Sequence, residues 1–198
     1  MLTNPHIFSN LILSLTGVFI FYKYYNLQPF TNRILWGFFL LTISLNALVE
    51  LLVFAGLEIP ENVQNIIRDS ERTFGSVCLV SAAWCLIMRY EAKNLMLFST
   101  IGLGLLLLFS ITWFNVQFMG LIIQPFCIIV TLLISCLGLG NRQKSALWVI
   151  VSMTLLALSA KSHRIPLPMD PIDINRYMMV LAIICFGNAI RDEYKILF

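Results

Sequence analysis

Seven apolar runs, each close to the length that crosses a bilayer, fill almost all of this 198-residue chain. A helix rises 1.5 Å per residue, so ~20 mostly apolar residues reach across a hydrocarbon layer about 30 Å thick. The runs fall at residues 7–25, 33–57, 63–90, 94–112, 116–139, 143–160 and 172–190. Asn32 is placed to cap the second. The third has a polar approach and an apolar body over 73–88, and the fifth contains Pro125. The expected fold is an all-α polytopic membrane protein: one transmembrane domain over residues 1–198, with about seven helices. Six is the alternative, because the connection at 113–115 is tight enough for two runs to form one bent element.

Composition agrees. Hydrophobic residues make up 59% and charged residues 12%, against about 25% charged in a soluble domain. This excludes a soluble enzyme, a disordered tail and a reader of nucleic acid with a basic face. The net charge of +3 comes from 13 basic and 10 acidic residues, with no polybasic arm. The lipid bilayer is the expected partner, and nucleic acid is not. Cys78, Cys85, Cys127, Cys136 and Cys185 all lie in apolar runs, without a CxxC spacing or a paired His. They read as small buried hydrophobes rather than disulfides or metal ligands, and no cofactor is expected. The first ten residues carry no Lys or Arg, so the first run reads as a retained helix rather than a secretory signal.

Lys and Arg in short loops set orientation. With seven helices, Lys23, Arg33, Arg89, Lys93, Arg142, Lys144, Arg191 and Lys195 share one side. Arg68, Arg72, Lys161, Arg164 and Arg176 share the other, so eight stand against five. The N-terminus is expected outside and the C-terminus in the cytoplasm. Short loops lean toward a bacterial inner membrane.

An internal repeat is suggested. Asn32-Arg33 and Asn141-Arg142 precede the second and sixth runs, with Trp36 and Trp148 soon after. Ile59-Pro60 and Ile165-Pro166 follow them. The third and seventh runs end in the charged strings 89–93 and 191–195. The implied plan is a parallel 3+1+3 arrangement with the fourth helix as linker. That layout resembles the one shared by SWEET sugar transporters, PQ-loop transporters and microbial rhodopsins. The motifs depart from them: Gln124-Pro125 reverses the Pro-Gln order, and the seventh run has no retinal-linking Lys. The seven-helix plan is also similar to the alkaline ceramidase and adiponectin-receptor superfamily, which holds zinc with three histidines. This chain has only His6 and His163.

Ionisable groups within a span cost about 2.5–3.5 kcal/mol on insertion scales, so they point to function. Thr42, Asn46 and Glu50 recur every four residues and share a helical stripe. Gln64, Arg68, Arg72 and Ser76 do the same on the third helix, flanked by Asp69 and Glu71. Asp173, Arg176 and Tyr177 open the seventh. Because a buried charge is tolerated mainly when paired, Glu50 is expected to meet Arg176 or Arg72. The proposed pocket therefore comprises Asn46, Glu50, Arg68, Asp69, Arg72, Asp173, Arg176 and Tyr177, with His163 and Arg164 at the rim. No catalytic residue is assigned, although Glu50, Asp69 and Asp173 could converge on a metal. The cluster reads either as a structural lock between helices or as the floor of a cavity among helices two, three, six and seven. Three functional classes follow. One is a small-molecule transporter or receptor-like sensor, whose short tail would need a protein partner on the cytoplasmic side. The others are an accessory subunit and an intramembrane hydrolase.

Overall fold

Proline sets where four helices begin. Its fixed φ suits the cap or the first turn, and its missing N–H costs nothing there. Pro5 opens α1 (Pro5–Tyr24) and Pro171 opens α7 (Pro171–Leu197). Pro29 and Pro60 occupy the caps of α2 (Phe30–Phe54) and α3 (Glu61–Met88). The remaining helices are α4 (Asn94–Phe114), α5 (Gln117–Gly140) and α6 (Lys144–Ser159). This computed structural model describes residues 5–114, 117–140, 144–164 and 168–197. Within them the chain is an all-α polytopic membrane protein of seven helices.

Asn32 is not the cap expected of it. Pro29 takes that place, and Asn32 lies buried inside α2. Six helices are long and apolar enough to cross a membrane, whereas α6 has 16 residues. At 1.5 Å per residue that is about 24 Å, short of the full layer.

Six helices form a closed ring in the order α1, α2, α3, α5, α6, α7 and back to α1, and α4 packs outside against α3. This cyclic order is compatible with a parallel repeat around α4. Asn141, Arg142, Ile165 and Pro166, which carry part of the sequence repeat, lie outside the described residues. Inside the ring, Trp36 and Phe39 of α2 meet Phe186 of α7 at ring-centre distances of 5.4 and 5.3 Å. Leu13, Leu35, Leu40, Met153 and Ile183 are fully buried around them. The outer faces of α4 and α5 present Leu95, Phe98, Leu106, Phe109, Leu121, Phe126 and Leu133. An apolar surface that wide would drive association in water, and the bilayer covers it instead.

Lipid offers little hydrophobic drive between helices, so small residues that let backbones approach do much of the packing. A Cβ on Gly75 of α3 would lie 2.5 Å from Thr42 Oγ1 of α2. That contact coincides with a break in helical register, because residues Glu71–Gly75 form a π turn. A π turn inserts one residue into an α-helix and is common at functional sites. Here it decides which side chains of α3 face the site.

Candidate functional site

The polar stripe of α2 faces protein along its length. Thr42 sits against Gly75 of α3. One turn on, buried Asn46 donates from Nδ2 to Glu71 Oε2 at 2.5 Å. A further turn on, Glu50 pairs with Arg176 of α7 through Oε2 and Nη2. Of the two partners expected for Glu50, the structure brings Arg176. Its side chain is 10% exposed and that of Glu50 is 20% exposed. Arg176 Nη1 lies 3.7 Å from Met179 Sδ. Arg176 Nε is buried and has no hydrogen-bond partner among the described residues.

Glu50, Arg68 and Arg176 line an open cleft of about 390 Å³ at the end of the bundle that holds the proline-rich loop. Val53, Phe54 and Ile172 supply apolar wall. Ser159, Ser162 and His163 close it from the α6–α7 side, and His163 is exposed there as a rim residue. These are the four elements the sequence named. Gln64 lines the cleft and donates to the Ile59 carbonyl at 2.8 Å, which ties down the α2–α3 loop. The volume lies within the ~300–1,000 Å³ usual for small-molecule sites.

Five of the expected pocket residues lie elsewhere. The face Gln64–Arg68–Arg72–Ser76 presupposes an unbroken α-helix, and the π turn divides it. Arg68 stays in the cleft. Arg72 and Asp69 instead stand near α5, where a Cβ on Gly120 would lie 3.9 Å from Arg72 Cδ and 4.0 Å from Asp69 Oδ1. Asn46 is deeper, engaged with Glu71. Asp173 turns toward α1, meeting His6 Nδ1 at 3.0 Å and accepting from Ser9 Oγ at 2.6 Å. Tyr177 is half-buried and does not line the cleft. The Arg164 side chain lies outside the described residues. Glu50, Asp69 and Asp173 do not converge, and among the described residues no three His, Cys, Asp or Glu side chains form a metal-holding group.

Glu71, which sequence reasoning left on the flank, lies behind the cleft and faces its Arg176 and Glu50. It links Asn46 to a small enclosed space of about 20 Å³ shared with Ser76, Gln124, Cys127 and Met179. That is room for about one water molecule. Its signal was available: counting ~20 residues back from Met88 places Glu71 within the span.

The opposite, C-terminal end of the bundle carries a second cluster of a different kind. Arg89 terminates α3 in the left-handed region, with φ 54°. Its guanidinium pairs with Glu193 of α7, which is 2% exposed and also accepts from Ser145 Oγ of α6 at 2.6 Å. Trp148 Nε1 donates to Asp192 Oδ2 at 2.9 Å, and Arg191 Nε lies 3.3 Å from Asp192 Oδ1. Asn32 of α2 completes the closure by donating to the Tyr90 carbonyl at 3.3 Å and accepting from the Ala92 N–H at 2.9 Å. One end is thus an open cleft and the other a sealed lock. No known protein family, curated protein or solved structure matches the chain.

Proposed function

We propose that the protein is a small-molecule transporter or receptor-like sensor that admits its solute through the cleft bounded by α2, α3 and α7. The observation that carries this reading is Arg176: a mostly buried cation held within a membrane helix on the wall of an open cleft, with its Nε buried and unpartnered. Intramembrane charge of this kind is costly, and it marks substrate or ion pathways by default. The pairing of an open end with a sealed end supports the transporter form, because alternating access requires one side shut while the other receives solute. The excess of Lys and Arg at the sealed end supports placing that end, with the C-terminus, in the cytoplasm of a bacterial inner membrane. The cleft then faces outward. As a sensor the chain would pass its signal to a protein partner on the cytoplasmic side.

The test is a small-solute thermal-shift screen on the purified full chain in lipid nanodiscs, repeated with Arg68→Gln, followed by uptake of the hits into proteoliposomes. A solute that stabilises the wild type, loses its effect in the variant and accumulates in vesicles supports transport. If no solute shifts either protein and a stoichiometric partner co-purifies in mild detergent, the accessory-subunit reading replaces it.

A further inference from the structure

We infer that the cleft selects an organic monocarboxylate with an apolar body, and that Glu50 is an internal counterion which this ligand displaces from Arg176. The inference rests on the reading of the cleft as a solute site and adds the class of solute.

The charge balance comes first. Two guanidinium groups, Arg68 and Arg176, and one carboxylate, Glu50, line the cleft. Among the described residues, no carboxylate pairs with Arg68. Glu71 lies behind the lining and also faces Arg176, so the cation left unpaired at the cleft is Arg68, which a monoanion neutralises. A cation would add to the excess.

Geometry narrows the anion. The Nε and Nη2 hydrogens of an arginine point the same way and form a two-pronged edge that matches a carboxylate. Glu50 engages Nη2 alone, while Nε of the same edge stands buried and unpartnered. Arg176 thus holds a carboxylate already, but only by half of what it can offer. Nε has no surface open to the cleft while Glu50 is in place; once Glu50 leaves, a mobile ligand carboxylate, free of the constraint of the α2 backbone, can take both prongs. Displacement is feasible on this side of the pair, because Glu50 is the more exposed partner and can hydrate in the open cleft once released. Val53, Phe54 and Ile172 on the wall suit an apolar body rather than a sugar.

Benzoate is a suitable probe, with benzylamine and glycine betaine as cationic and zwitterionic controls. Binding is measured by titration calorimetry and thermal shift on the full chain in nanodiscs. Benzoate should bind saturably and the controls should not. Glu50→Gln replaces the competing carboxylate by a weaker neutral acceptor and should tighten benzoate about tenfold, a direction opposite to that of losing a direct contact. Arg176→Lys keeps the charge but loses the two-pronged edge and should weaken benzoate about tenfold. Should Arg176→Lys fold poorly, Arg68→Gln gives the same direction at the half-buried second cation. Unchanged or weaker benzoate binding in Glu50→Gln overturns the inference, as does absence of benzoate binding to the wild type. Benzylamine binding that Glu50→Gln abolishes would keep the cleft as a solute site and refute the carboxylate. Benzoate binding with the expected variant pattern, but without uptake or partner response, would keep the anion site and refute the transport or sensing role.

Discussion

The two ends of the bundle use the same kinds of residue to opposite effect. At the C-terminal end, Glu193 is 2% exposed, forms an ion pair with Arg89 and accepts a hydrogen bond from Ser145. At the proline-loop end, Glu50 is 20% exposed, has Arg176 and borders a cleft of about 390 Å³. A buried, ion-paired acid shut off from water fixes the helices, even though its Oε1 makes no hydrogen bond. A half-satisfied pair beside open space keeps hydrogen-bonding capacity in reserve for a visitor. The same ion-pair chemistry therefore serves structure at one end and, in our proposal, recognition at the other. What separates them is access to water, not residue type.

The comparison is broken most easily by removing the acid at each end. Glu193→Ala leaves the Ser145 hydroxyl and the Arg89 guanidinium without their acceptor, and we expect a loss of about 3–5 kcal/mol, the cost typical of breaking a buried pair. Reversible unfolding in mixed micelles measures it. A loss within experimental error would show that the sealed end is no lock. Gly75→Leu comes next. The larger side chain meets Thr42 on α2, and overpacking there should cost about 1–3 kcal/mol. The same variant should reduce any ligand-induced thermal shift, because it displaces the helix that carries Arg68. Asn46→Leu removes the donor to Glu71 and should cost about 1–3 kcal/mol through an unsatisfied acceptor. Glu50→Gln should be mildest, since the amide oxygen can still accept from Arg176, Glu71 remains close to that cation and the position borders the open cleft. If Glu50→Gln proves as damaging as Glu193→Ala, both ends are locks and the cleft has no separate role.

Much of this arrangement was legible in the chain. Hydropathy and length place the helices because the bilayer imposes both. The stripe Thr42–Asn46–Glu50 identifies the inward face of α2, since an uninterrupted α-helix keeps residues four apart on one side. The same rule failed on α3. No local motif announces the π turn at Glu71–Gly75, and Arg72, inside it, stands near Gly120 of α5 rather than in the cleft. Asp173 was misplaced for a different reason. Its partners His6 and Ser9 lie more than 160 positions away, and only the ring closure of α1 onto α7 brings them near. The charged string 191–193 looked like an ordinary helix end. Its role as a lock depends on Arg89 and Ser145 from two other helices, which again is tertiary information.

The most direct measurement compares the two ends for access to water. In a background with the five native cysteines replaced, Asn175→Cys places a thiol on the cleft wall and Ser145→Cys places one inside the sealed cluster. Both variants are reacted with a charged maleimide in nanodiscs, where both membrane faces are reachable. We expect rapid labelling at 175, slowed by benzoate, and protection at 145 until the protein is unfolded. Equal labelling at both positions, or protection at 175 with reaction at 145, would contradict the division into an open site and a closed lock.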